Sequence, residues 1–138
     1  MNDKIRETKE WIYLADHDLG SAKIIFQYLP LYYEMIAFHC QQSVEKYIKG
    51  LLIYFEKDFK RTHDLVFLLD LLAEKIEVSP ELYEKALSME GFGVEIRYPK
   101  HNINMTTEEL MYSIKIAEDY RTMVKKNVNF NIDENDLA

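Results

Sequence analysis

Residues 31–55 read LYYEMIAFHCQQSVEKYIKGLLIYF, and this stretch decides the fold. Apolar residues recur in it at steps of three and four, which is the spacing of one face of an amphipathic helix. These residues are Ile36, Ala37, Cys40, Val44, Tyr47, Ile48, Leu51, Leu52 and Phe55. At ~1.5 Å per residue such a helix is ~37 Å long. The stretch therefore predicts a helix from about Leu31 to Phe55 that runs the length of a small domain.

A second long helix is predicted before it, from about Asp3 to Tyr28. Its apolar stripe consists of Trp11, Leu14, Ala15, Ala22, Ile25, Phe26 and Leu29. The residues off this stripe are Lys9, Asp16, Lys23 and Gln27. Pro30 ends the helix, because proline disfavours helical geometry in the residue before it. Two long helices with so short a joint predict an antiparallel hairpin.

Three further helices are predicted from start signals. Thr62 is the expected N-cap of a helix whose stripe is Leu65, Leu68, Leu69, Leu72 and Ile76. Ser79-Pro80-Glu81 predicts the start of a short fourth helix that carries Leu82, Tyr83, Ala86, Leu87 and Met89. Thr106 and Glu109 form a capping box for a last helix to about Lys126, with Leu110, Ile114, Ala117, Tyr120 and Val124 facing inward.

The composition agrees with this all-α prediction. The 138 residues include only four glycines and three prolines, too few for the many turns of a sandwich, barrel or propeller. We therefore expect one up-and-down antiparallel helical bundle over residues 1–126, with four long or medium helices and one short helix. Residues 127–138 are rich in Asn and Asp and are expected to form a flexible tail.

The chain also gives indications about its compartment. The single cysteine, Cys40, excludes an intramolecular disulfide and fits a reducing environment. The first ten residues are almost entirely polar, so no secretory signal is expected. The most apolar stretch is too short to span a bilayer. A cytoplasmic protein without a membrane association is the prediction.

The segment before the last helix carries the main chemical signal. The chain has a net charge of −7 and a pI of about 5.1, which argues against broad binding of nucleic acid. Yet Arg97, Lys100 and His101 lie together without an acid, just ahead of a capped helix N-terminus that favours anions. Arginine suits phosphate and histidine can move a proton near neutral pH. The segment could hold an anion, act as a metal-independent ribonuclease site, or be an ordinary solvated turn.

A second, weaker patch is predicted on the long helix of residues 31–55. Gln42, Glu45, Lys46 and Lys49 follow one another at steps of three and four, so Lys46 and Lys49 are candidate nucleotide- or anion-binding residues. The alternative is a polar helix face with a Glu45–Lys49 ion pair. No histidines are spaced for a metal site, and neither a Walker loop nor a dinucleotide fingerprint occurs. We expect no metal and no cofactor.

The order of several segments resembles the HEPN family, whose name stands for higher eukaryotes and prokaryotes nucleotide-binding domain. These segments are Trp11 with the Ala15-Asp16-x-Asp18-Leu19-x-x-Ala22 run, Phe38 to Lys49, Thr62-His63-Asp64-Leu65 with Leu68-Leu69, and Arg97-Tyr98-Pro99. Together they cover roughly residues 8–126. The resemblance implies a helical bundle that forms a homodimer and is linked to nucleotides or RNA. It also implies a minimal nucleotidyltransferase as partner, often in a toxin–antitoxin pair.

The resemblance also bears on catalysis. Active members of the family cleave RNA without metal through an Arg-x(4–6)-His motif, whose two copies meet at the dimer interface. Arg97 and His101 are the corresponding catalytic candidates here, but they are spaced Arg-x(3)-His, and Pro99 fixes the backbone between them. A member that binds nucleotide or a partner without full ribonuclease activity is the leading hypothesis. The alternatives are a ribonuclease toxin and a non-enzymatic interaction module.

Overall fold

The fold is helical throughout the residues that the structure describes. In the computed structural model these are residues 3–90 and 105–133. They form helices α1 (Asp3–Tyr28), α2 (Tyr33–Tyr54), α3 (Leu65–Leu72), α4 (Pro80–Met89) and α5 (Thr107–Asn127). The all-α prediction is confirmed. None of the helices in the described ranges is both long and apolar enough to cross a bilayer.

Helices α1 and α2 form the predicted antiparallel hairpin. Ala15 accepts a hydrogen bond at its carbonyl from the Ser43 hydroxyl at 3.0 Å. Further along, the Asp18 carboxylate meets His39, so residue numbers rise on one helix as they fall on the other. At the opposite end Gly50 lies against Trp11, where an added Cβ would stand only 3.2 Å from the Trp11 Cβ. The missing side chain of Gly50 thus lets the two backbones approach closely.

Helix α2 is the centre of the bundle, because each of the other four helices packs against it. Its predicted stripe is confirmed: every residue of it except Phe55, which is partly buried, is fully buried. These side chains make the middle of one continuous apolar core that also includes the inward residues of α3 and α5. The apolar stripe of α2 is therefore the surface on which the other helices assemble.

The predicted stripe of α1 is wrong in three places. Leu14 and Leu29 are 46% and 47% exposed, whereas Asp16 is completely buried. The face that packs on α2 is centred instead on Ile12, Leu19 and their neighbours Ala15 and Ala22. Asp16 is buried because charged and polar groups from two other helices surround it, as described below. On α4, Leu87 is 60% exposed.

The caps of the later helices decide where they begin. Ser79 caps α4 by accepting the Leu82 N–H at 3.2 Å, as predicted. Thr106 and Glu109 form the predicted capping box of α5, with hydrogen bonds of 3.1 and 2.8 Å. Helix α3 differs: its cap is Asp64 rather than Thr62, and it accepts from the Phe67 N–H at 3.0 Å. A carboxylate can cap a helix as well as a hydroxyl, which the sequence pattern did not resolve.

The residues that follow α5 continue along the bundle as far as the structure describes them. Ile132 is buried, and Asp133 forms an ion pair with Lys125 at 2.8 Å. Residues 134–138 lie outside the described residues, so for them the flexible tail stays a prediction.

Candidate functional site

The strongest sequence-predicted site falls outside the described residues. Arg97, Lys100 and His101 all lie within residues 91–104, between α4 and α5. Their role as catalytic or anion-binding residues stays a prediction. What the structure does describe is the helix that follows them: α5 starts at Thr107 with two glutamates in its first turn and a complete capping box.

Lys46, the first of the two lysines predicted on α2, is paired with a carboxylate of α1. Its ammonium group donates to Asp18 Oδ2 at 2.6 Å, while His39 Nδ1 lies 2.8 Å from Asp18 Oδ1. Asp18 is only 9% exposed, so its charge needs these partners. Burial alone would raise the pKa of Asp18, but the hydrogen bonds and charges of His39 and Lys46 outweigh it and lower the pKa below its ordinary value.

Lys49, the second of these lysines, belongs to a more deeply buried group. Its ammonium group donates to Glu45 Oε2 at 2.8 Å, which confirms the pair expected from the i,i+4 spacing. It also lies 5.6 and 5.9 Å from the ring centres of Trp11 and Phe59, within the range of cation–π attraction. Glu45 and Lys49 are 3% and 6% exposed, so this is a buried pair and not a solvated helix face.

Glu45 also holds a histidine from the connection between α2 and α3. His63 Nδ1 lies 2.9 Å from Glu45 Oε1, and the His63 side chain is 72% exposed. A carboxylate that binds one ring nitrogen fixes the orientation of the imidazole.

The structure thus contains two carboxylate groups built on the same plan. Asp18 accepts from Lys46 and His39, and Glu45 accepts from Lys49 and His63. Sequence reasoning missed both histidines, because it compared each histidine only with its neighbours in the chain. The hairpin register would have found one of them, since the pairing of Ala15 with Ser43 places Asp18 close to His39.

A third buried carboxylate ties three helices together. Asp16 of α1 accepts from Arg121 of α5 through Nε at 2.8 Å and through Nη2 at 3.2 Å. The Tyr47 hydroxyl of α2 donates to the same carboxylate. Burial and the Asp16 charge both raise the pKa of Tyr47. This fork of two hydrogen bonds accounts for a fully buried aspartate in the middle of an apolar interface.

Cys40 takes no part in these groups. Its thiol is buried, and burial raises its pKa to about 12, so it stays protonated and unreactive at neutral pH. The described ranges contain no cluster of three or more His, Cys, Asp or Glu side chains arranged to hold a metal ion.

The lowered pKa of Asp18 makes a prediction for acid stability. A carboxyl group whose pKa is lower in the folded state stabilises the fold above its unfolded pKa of roughly 4 and loses this effect as the pH falls through the folded value. We expect Asp18→Asn to be less stable than the wild type at neutral pH, with the difference shrinking below about pH 4. Urea unfolding across this range measures it.

The matched control for this prediction is Asp3→Asn, since the Asp3 side chain is 87% exposed and forms a surface ion pair with Arg6. This variant should follow the wild-type curve at every pH. A constant gap between Asp18→Asn and the wild type from neutral to acid pH would contradict the assignment.

The sequence matches a known domain family, and the helical arrangement is similar to two solved structures. The model of the HEPN domain matches residues 8–127. The crystal structure of TT1696 from Thermus thermophilus is similar with a TM-score of 0.78 at 23% identity, covering 88% of this chain and 98% of that chain. The crystal structure of ST0689, an archaeal HEPN homologue, is similar with a TM-score of 0.69 at 26% identity, covering 86% and 95%. No curated protein matches significantly.

Proposed function

Since this chain belongs to the HEPN domain family, we propose that it is a nucleotide- or RNA-associated helical protein that works with a minimal nucleotidyltransferase partner. We further propose that it acts as a homodimer and lacks full ribonuclease activity. The observation that carries the proposal is the extent of the family match, because it runs from α1 to the end of α5 and includes the Arg97 to His101 segment.

The proposed anion-binding residues are Arg97, Lys100 and His101. They precede a helix N-terminus, where the helix dipole favours negative charge. In a chain of net charge −7 such a local group of cations is a part of the sequence that suits a phosphate. We propose this segment as the contact with nucleotide or RNA.

The two lysines of α2 differ in what they would add to this contact. The Lys46 side chain is 23% exposed, so its ammonium group could donate to a phosphate while it also binds the Asp18 carboxylate. Lys49 is neutralised by Glu45 in a buried pair, and drawing it to a ligand would leave Glu45 without a cation. The proposal therefore includes Lys46 and gives Lys49 a structural role.

The reduced catalytic capacity follows from spacing. Arg97 and His101 are separated by three residues instead of four to six, and Pro99 restricts the backbone that would have to compensate. General acid–base catalysis needs the histidine within hydrogen-bond reach of the reacting oxygen. We propose that the pair binds phosphate without aligning it for cleavage.

Calorimetric titration with ATP and with a short single-stranded RNA tests the proposal. We expect binding that weakens with salt and that falls about tenfold or more in Arg97→Ala, because a charge-assisted hydrogen bond to phosphate is lost. Arg6→Ala is the matched control, as Arg6 is an exposed arginine of α1. Equal binding by the wild type and Arg97→Ala, or no binding at all, would favour the alternative of a purely structural interaction module.

Induced expression in cells with a readout of RNA integrity tests the ribonuclease alternative. If the wild type degrades RNA while Arg97→Ala and His101→Ala do not, the chain is a ribonuclease toxin and the non-cleaving proposal fails. We expect intact RNA in all three cultures.

A further inference from the structure

The solvent-facing side of α1 changes character along the helix. Its first part exposes charged residues, among them Asp3, Arg6 and Glu10. From residue 13 to the end of the helix, the exposed residues are Tyr13, Leu14, His17, Ile24, Gln27 and Tyr28. Lys23 lies beside this set, and its side chain, which is 41% exposed, forms an ion pair with Glu118 of α5. This set contains no Asp, Glu, Lys or Arg, although 30% of the chain is charged. A neutral face of this length is unusual on such a protein.

The same region holds most of the exposed apolar surface of the described residues. Eight of the eleven exposed large apolar side chains there lie between Tyr13 and Met35. Ile24, Tyr28 and Leu31 are 61%, 70% and 83% exposed. The face therefore continues from α1 onto the connection to α2, and together these residues are called the α1 face below. Exposing this apolar surface to water costs free energy, and burying it against a partner would remove that cost.

The spacing of the α1 face suits a second helix. Leu14, His17, Ser21, Ile24 and Tyr28 follow one another at steps of three, four, three and four, as in the seam of a coiled coil. Small residues, Gly20 and Ser21, lie at its middle and would let another backbone approach closely. Large side chains flank this middle on both sides.

The pattern is also complementary to itself. If an identical helix lies antiparallel across Ser21, Leu14 stands opposite Tyr28 of the other copy, and His17 stands one residue away from the position opposite Ile24. A two-fold axis through Ser21 repeats both contacts, as an isologous interface requires. Because the face is uncharged, two copies of a chain with net charge −7 can meet there without like charges in contact.

We propose that the α1 face is the homodimer interface, with the α1 helices of two copies packed antiparallel across Ser21. That the protein forms a dimer rests on the proposed function. The choice of the α1 face as the interface rests on the exposure and the spacing of its residues. The interface adjoins the start of α5, because Phe26 lines one groove with Met111 and Tyr112. The α1 face thus lies beside the helix that follows the proposed anion-binding segment.

The mass of the full chain in solution, measured by light scattering at micromolar concentration, tests the interface. We expect a dimer for the wild type and a rise of about 100-fold or more in the dimer dissociation constant for Ile24→Glu, because two buried carboxylates enter one interface. The matched control is Leu87→Glu on α4, where the replaced side chain is 60% exposed against 61% for Ile24. This control should remain dimeric.

A disulfide test does not depend on weakening the dimer. Ser21→Cys should form a covalent dimer with oxidised glutathione, because the two thiols face each other across the axis. Gln27→Cys, on the same helix but away from the axis, should not, and the buried Cys40 should not react.

The outcomes separate the inference from the proposed function. A wild-type dimer that survives Ile24→Glu and is not linked by Ser21→Cys overturns this interface and leaves the homodimer standing. A wild-type monomer overturns both the interface and the homodimer, while binding of nucleotide or RNA is tested independently through Arg97→Ala. Dissociation by Leu87→Glu alone would place the interface on α4 and overturn the inference as well.

Discussion

Arg121→Met is expected to lower the free energy of unfolding by about 3–5 kcal/mol, because it leaves the carboxylate of Asp16 buried without a cation. Asp16 has no exposed surface, and Arg121 supplies two of its hydrogen bonds. Methionine replaces much of the apolar part of the arginine side chain, so most of the lost stability comes from removing the charge and little from lost packing. Proteins of this size have a total stability of only about 5–15 kcal/mol. Urea unfolding at neutral pH measures the change.

Arg6→Met is the matched control for Arg121→Met, because it makes the same substitution in an exposed ion pair with Asp3. Such surface pairs contribute at most about 1 kcal/mol. A similar loss of stability in the two arginine variants would mean that the pair of Asp16 and Arg121 does not hold α5 against the hairpin.

Glu45→Gln is expected to cost about 3 kcal/mol, because the buried ammonium group of Lys49 would lose its counter-charge. The glutamine is nearly the same size, so little packing changes. Its amide has an oxygen at only one of the two positions that face Lys49 and His63, and a hydrogen-bond-donating NH2 group at the other. Thermal and urea unfolding of the purified variant measure the loss.

The double variant Glu45→Gln/Lys49→Met tests whether the stability lost in Glu45→Gln comes from the unpaired charge of Lys49. Removing both charges should restore much of the stability lost in Glu45→Gln, because replacing a whole buried ion pair costs less than breaking it. If the double variant loses as much free energy of unfolding as the two single variants lose together, the two side chains act independently and the pair has no coupling energy.

The parts of the fold that depend on local patterns were predictable from the sequence. The stripe of α2, the Ser79 cap and the Thr106–Glu109 capping box each involve residues a few positions apart. The position of Asp16 was not predictable in this way, because its partner Arg121 is 105 residues away in the chain. A charged residue in the core needs a hydrogen-bonding partner, and the spacing of apolar residues along one helix does not reveal a partner on a distant helix.

The candidate site shows the same division. The Glu45–Lys49 pair was predicted because it lies within one helical turn. The histidines that share these carboxylates were missed, because Asp18 and His39 meet only through the register of the hairpin, and Glu45 and His63 only through the path of the chain after α2. Arg97 and His101 lie outside the described residues, and their arrangement stays a prediction.

The central position of α2 has a consequence for how the protein could change. The helix that packs against all the others also carries Glu45 and Lys46, which anchor the groups of His63 and Asp18. A substitution at Glu45 or Lys46 of α2 changes the stability of the fold and the chemistry of these groups together, so neither property can change without the other. Variants that separate them have to be made elsewhere, on the outer face of α1 or in the segment that precedes α5. Natural divergence of function is under the same constraint and should be concentrated in those two regions.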